Sequence, residues 1–381
     1  MTSDRAVRIA TGLASDDAGV DAFAEAAGRA VLGLGGAPAD LTVVFAGAPN
    51  LDHAEAGLDV VRERLGPGAL IGCGAQGVVA AGRELEHGGV AVWAASLPGA
   101  RVEPFHLETL PAGESRIALA GMPELDGSDA LIVLADPYSF PVEPVLGHVS
   151  EDRPGLPVIG GLASAGRGSL MLGDELVGEG AVGVALSGVD VRPLVSQGAR
   201  PIGPEMVVTA ADGNTIEELA SKPALERLRE AIAALDVDER GLAARGLLVG
   251  IVIDENQPDY GRGDFLIRGL LDADEEAGTL RVAERVRVGQ TVRLQVRDGE
   301  SADEDLREAL GRLGERPAGA LLFTCNGRGS HMFDVPDHDA RALDEALGGA
   351  PVAGFFCAGE IGPVGGRNFV HGFTATVAVF G

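Results

Sequence analysis

The sequence predicts an α/β chain of the mixed α+β kind: two related halves built from repeated strand–helix–strand–strand units on mixed sheets. Three observations point there. Apolar runs such as LIVL (131–134) and ALLF (320–323) are continuous rather than alternating, as expected of strands buried on both faces. Each is followed by a helical stretch and a second apolar run that stops at a Gly-rich turn. The same order recurs at 41–97, 130–188 and 319–381.

Residues 21–35 read as an amphipathic helix ahead of the first repeat. That repeat has an apolar run at 41–50 that breaks at Gly and Pro, a helix at 53–66, a second strand at 69–77 and a closing strand at 87–97. The second repeat runs through 130–140, a segment with Val145 and Leu146, then 157–168 and 178–188. A Pro- and Gly-rich connection at 192–204 is the best boundary in composition. It gives domains at 1–194 and 195–381, with Lys222 as the other candidate for the join. Beyond it, 207–220 reads as a strand, an Asp-Gly-Asn turn and a second short element. Residues 223–235 form a helix that opens on Pro223, 246–254 a buried strand, and 264–296 a β meander. A helix at 303–314 has acids in its first turn, which suits the helix dipole. The third repeat follows, with strands at 319–325, 351–357 and 370–381 and a helix at 337–349.

The third repeat carries the chemistry. Its two parallel-type runs stop at CNGRG (325–329) and CAGEIGP (357–363). Each turn holds one thiol, Cys325 or Cys357, and one charged side chain, Arg328 or Glu360. Strand ends of α/β sheets are where ligands bind. A cation and an anion on neighbouring turns suit a small zwitterion. Arg328 would take a carboxylate, because its planar fork binds two oxygens at once. Glu360 would take an ammonium group, while Asn326 and the backbone of Gly327 and Gly329 fix orientation. Cys325, Gly359 and Gly362 complete that wall, and Gly72, Cys73 and Gln76 of the first repeat face the same cleft. The alternative is an Arg328–Glu360 salt bridge that ties two loops together.

These turns, with Asn368, His371 and Thr374 after them, resemble the C-terminal signature of the FIST-domain family. Residues 207–228 are similar to the family's join between its N- and C-terminal regions. Residues 71–94 are similar to its N-terminal region, where the family often has a polar residue at Gly74 and an acidic one at Val78. The resemblance implies an intracellular sensory module that binds a small ligand, amino acids being the usual guess. It implies no catalytic mechanism.

Other chemistry is weaker. Cys325 beside Arg328 could be a nucleophile, with His331 or His371 as base, or simply a small buried residue at a tight turn. His331, Asp334, Asp337, His338 and Asp339 match no metal motif and read as a helix start with acids at its positive end. The Gly-rich loops at 160–173 and 178–188 lack the Lys-Ser/Thr ending of a phosphate loop. No cofactor or metal is expected. The polar stretch 254–269 is a lid, a partner surface or a plain solvated connection.

Composition bounds the partners. A net charge of −27 argues against nucleic acid and anionic membranes, which both attract basic patches. Three scattered cysteines make no disulfide framework and suit a reducing compartment. With no signal peptide and no long apolar run visible, a cytoplasmic location is expected. The expectation is a FIST-type sensor of a small metabolite that passes its output to a separate signalling protein. An adaptor for a protein partner and a Cys325-dependent enzyme are the alternatives.

Overall fold

A computed structural model of the chain describes residues 6–15, 18–111, 117–261, 263–314 and 317–381. Residues 1–5, where a signal peptide was sought, and Arg262 of the polar stretch lie outside the described residues. The fold is mixed α+β, with both parallel and antiparallel pairing. Its contacts divide it into two compact units, 1–195 with 307–381, and 196–306. The compact bodies thus do not follow 1–194 and 195–381, because the third repeat folds with the first two.

All three repeats have one connectivity. The first strands are Leu41–Gly47, Ala130–Ala135 and Gly319–Cys325. Each pairs in parallel with the second strand of its own repeat: Ala69–Ala75, Val158–Leu162 or Val352–Cys357. On its other side each pairs antiparallel with the closing strand: Val90–Ser96, Ala181–Ser187 or Ala375–Phe380. A shared detail confirms the alignment of the repeats. Gly72, Gly160 and Gly354 stand opposite Val44, Val133 and Leu322. A Cβ at these glycines would lie 2.3, 1.8 and 1.7 Å from the facing carbonyl oxygens, so all three places exclude a side chain.

The short hairpins that follow the second strands do not return to their own sheets. Hairpin 78–85 of the first repeat pairs with Val352–Cys357 of the third. Hairpin 170–177 of the second pairs with Ala69–Ala75 of the first. Hairpin 360–371 of the third pairs with Val158–Leu162 of the second. The exchange is cyclic, and each sheet is completed by another repeat.

Inward side chains of the three sheets, among them Phe45, Cys73, Trp93, Ile132, Val184, Phe323, Phe355 and Phe380, share one core. Outward residues of the first sheet pack under helices Val20–Leu34 and Ala54–Leu65, and those of the second under Val142–Asp152. Both faces are covered, which explains why the strand runs are apolar without alternation.

Unit 196–306 differs. Its strands Ala199–Asp212, Thr291–Arg297, Leu247–Val252, Phe265–Asp274, Thr279–Val282 and Thr215–Leu219 run antiparallel in that order. Ala199–Asp212 also pairs with Thr215–Leu219, which closes the ring. Helices Ala224–Ala234 and Val237–Arg245 add Leu225, Leu228 and Ala243 to its core.

Candidate functional site

The second strands of the three repeats end together. The Ser164 hydroxyl of the second repeat accepts from Gln76 N at 2.8 Å and donates to Phe356 O of the third at 2.5 Å. Phe356 N donates to Gly77 O at 3.0 Å. CNGRG and CAGEIGP are side by side: Cys325 and Cys357 are register partners, and Asn326 N donates to Cys357 O at 3.0 Å.

Arg328 is fully buried but meets neither a surface nor Glu360 in a direct ion pair. Its Nε and Nη2 each donate to Asp339 at 2.7 Å. Thr324 Oγ1 donates to Asp339 at 2.7 Å, and His338 Nδ1 lies 2.9 Å from it. The guanidinium also lies over the Phe333 ring, 5.1 Å from its centre, and that ring stacks on His338. Burial alone would raise the Asp339 pKa, but the guanidinium and these donors hold the carboxyl well below its usual range. Burial works against the Arg328 charge too, yet Asp339 and then Glu360 leave it more firmly protonated than usual.

Glu360 is equally buried. Thr374 donates to its Oε2 through N at 3.1 Å and Oγ1 at 2.7 Å. Burial pushes its pKa up to about 8, with Thr374 and Arg328 resisting. Burial, then Glu360, pushes the Cys325 thiol up to about 12. Such a thiol stays protonated, so it is a poor nucleophile at neutral pH. Gly327 N donates to the Cys325 sulfur at 3.4 Å. All three cysteines are free and buried.

Three buried polar atoms here have no hydrogen-bonding nitrogen or oxygen partner among the described residues: Asn326 Oδ1, Arg328 Nη1 and Glu360 Oε1. The Cys325 thiol also lies near enough to interact with the Glu360 carboxyl group. Around these atoms, Asn326 and Gly327 are half-buried and Ala358 is exposed.

A strap covers Arg328's own loop. Glu86 accepts from Ser330 N at 2.7 Å and Oγ at 2.6 Å. Glu84 accepts from Ala340 N at 2.9 Å, and Asp337 accepts from Glu84 N at 2.7 Å. Burial, then the Asp339 charge, raises Glu84 to about 7. Gly329 adopts φ +58°, and a Cβ there would lie 2.8 Å from Glu86 Oε1.

The remaining sequence-expected residues are placed as follows. Gly72 and Cys73 are strand interior, Cys73 in the core shared by three sheets. Gln76 is half-buried and uses its backbone to join repeats. Gly359 O accepts from Leu162 N at 2.8 Å, and Gly362 is shut in by Val195 and Thr376. Neither Gly72, Cys73 nor Gly362 faces an opening. Asn368 closes the second sheet instead, with Oδ1 accepting from Val158 N at 2.9 Å. Glu84 and Thr324 were missed by sequence reasoning, and Asp339 was read only as one of the acids at a helix start. Asp339 could have been found: it lies four positions before Leu343, on a helix face that is otherwise apolar. Two surface pockets, of about 390 and 210 Å³, are lined elsewhere, around Leu310 with Leu347 and around Leu70 with Leu172.

The fold and this signature define a two-part domain family. A FIST N domain matches residues 40–222 and a FIST C domain matches residues 224–363. The chain belongs to the FIST family, whose domains are associated with sensing in signal transduction. The uncharacterized protein Mb0898c of Mycobacterium bovis is 45% identical over 98% of this chain and 99% of its own length. The uncharacterized protein Rv0628c of Mycobacterium tuberculosis is also 45% identical, over 98% of this chain and 100% of its own. The FIST N and FIST C matches meet inside unit 196–306, and the second runs on into the third repeat. No helix among the described residues is long and apolar enough to cross a membrane.

Proposed function

We propose that this protein is a non-catalytic sensor that binds a small metabolite, in the range of an amino acid, between the CNGRG and CAGEIGP turns. It would act in the cytoplasm and signal to a separate protein. The observation that carries the reading is the group of unpartnered buried atoms, Asn326 Oδ1, Arg328 Nη1 and Glu360 Oε1. Buried polar atoms are almost always satisfied, so three orphaned atoms on two neighbouring turns are consistent with a bound small molecule, ion or ordered water there. Three free thiols favour a reducing compartment. The high pKa of Cys325 weighs against the enzyme alternative.

Melting the intact chain against an amino-acid and small-metabolite library tests this. A ligand at about a hundred times its Kd should stabilise by about 2.7 kcal/mol. The shift should survive Cys325→Ser and weaken in Asn326→Ala. A library that leaves the melt unmoved would favour the adaptor, and turnover lost in Cys325→Ser would favour the enzyme.

A further inference from the structure

We infer that residues 81–87 of the first repeat and 329–340 of the third form a latch over the CNGRG turn, and that ionisation of Glu84 loosens it. The latch belongs to the chain without any ligand, so it does not depend on the small-metabolite reading.

The hydrogen bonds are the first reason. Glu84 and Asp337 cap each other across two repeats. Glu84 accepts from Ala340 N at 2.9 Å, in the first turn of helix His338–Ala346, and its own N donates to Asp337 at 2.7 Å. This is the reciprocal pattern of a capping box, ordinarily made within one segment. Asp337 is the N-cap residue of that helix, yet its side chain caps nothing there, so the first repeat supplies the cap. Glu86 grips the other end of the loop through Ser330 N at 2.7 Å and Oγ at 2.6 Å. Ser330 follows the CNGRG turn directly, and Asp339, beside Ala340, holds Arg328. One hairpin therefore pins the segment behind Arg328 at both ends.

Strain is the second. Asp337 stands at φ 60°, ψ 31°, and Ala81 at the hairpin tip has φ 52°. Residues with side chains stay in that left-handed region only while their surroundings hold them. Asp337 is held by polar contacts, from Glu84 N and from the exposed Arg83, whose Nε lies 3.3 Å away. Glu84 and Glu86 are half-buried and Ser330 is exposed. A grip of partly exposed polar contacts opens locally before a packed core does.

Charge is the third. Asp339 and His338 face the Glu84 carboxyl from the helix, Arg83 and Asp337 flank it, and Asp344 lies beside Gly82 at the hairpin tip. Burial, then the Asp339 charge, opposes ionisation of Glu84, while the Ala340 and Asp339 N–H groups and His338 favour it. The balance leaves the carboxyl at about 7. Released into water, it returns to an ordinary 4.5, so the closed latch holds its proton more tightly than the open one. The latch is strongest below about 4.5 and weakens as pH rises through about 7.

Hydrogen exchange on the intact chain tests this, read by mass spectrometry on peptides within 329–340 and corrected for the intrinsic rate. Opening of this segment should rise about tenfold per pH unit between about pH 5 and pH 7 and level off above, while strand Val352–Cys357 stays protected. Glu84→Gln keeps a side-chain oxygen for Ala340 N and removes the titration, so its protection should be flat with pH. Glu86→Ala should lower protection around Ser330 at every pH and keep the wild-type slope. Wild-type protection that does not change with pH would overturn the latch without any variant having to fold. So would a slope that survives in Glu84→Gln, which would assign the titration to another group, or the same slope in Val352–Cys357. Protection around Ser330 that Glu86→Ala leaves intact would remove the second grip and the latch with it.

Discussion

Removing the Arg328 side chain would leave Asp339 as a buried anion without its cation. Breaking a buried pair from one side is far more damaging than replacing both partners. Arg328→Ala should therefore lose about 3–5 kcal/mol in urea unfolding, while Arg328→Met with Asp339→Leu should lose much less. An equal loss in both would mean that the pair is not energetically coupled. Glu360 makes a pH prediction. Its carboxyl titrates at about 8 in the fold, against an ordinary 4.5, so the folded chain holds this proton more tightly than the unfolded chain. The contribution is complete below about 4.5 and is lost as pH rises through about 8. Glu84, at about 7, acts in the same direction. Asp339 acts oppositely, and its contribution disappears only as pH falls into the acid range. Glu360→Gln abolishes one titration, so its melting temperature should fall less than the wild type's between about pH 5 and pH 8. Parallel curves would refute the assignment. The charged turns were legible because glycines and a thiol bracket them. The burial of Asp339 was legible from its apolar helix face, but its pairing with Arg328 was not, because it sits eleven residues on, in a helix whose position depends on the folded sheet.

The strands and helices were readable because buried strands leave continuous apolar runs and helices leave periodic ones. The threefold order was readable for the same reason. The exchange of hairpins was not. A segment such as 78–85 has the same local pattern whether it pairs at home or with Val352–Cys357, and only the folded edges decide. The shared glycine gives an element-level test. Gly72→Ala, Gly160→Ala and Gly354→Ala should each destabilise by about 1–3 kcal/mol or more, since each new methyl group strikes a carbonyl oxygen. Gly147→Ala is the control. It lies in helix Val142–Asp152 with open space around it, and should gain about 0.5–1 kcal/mol. Comparable losses at all four positions would contradict the close approach.

At the scale of the molecule, the exchange makes no repeat self-sufficient. The second repeat's outer strand, Val158–Leu162, finds its edge partner in residues 360–371. Residues 130–187 produced alone should thus show no cooperative melt by circular dichroism, having an unpaired edge and half a core. A sharp transition in that fragment would show that the borrowed hairpin is dispensable. The division into units 1–195 with 307–381 and 196–306 was not legible, because a break in composition marks a connection and cannot say which flanking segments fold together.

Three units that complete one another in a circle could equally be three identical chains, which would carry every residue in triplicate. Here the circle is written along one polypeptide, so its corners are free to differ. The position of Cys325 is Gly47 in the first repeat and Asp136 in the second. Asp136 spends its carboxylate on the backbone N–H groups of Tyr138, Ser139 and Gly168. Two corners can serve as fixed supports while a third acquires recognition, a division of labour that a homotrimer cannot reach by substitution.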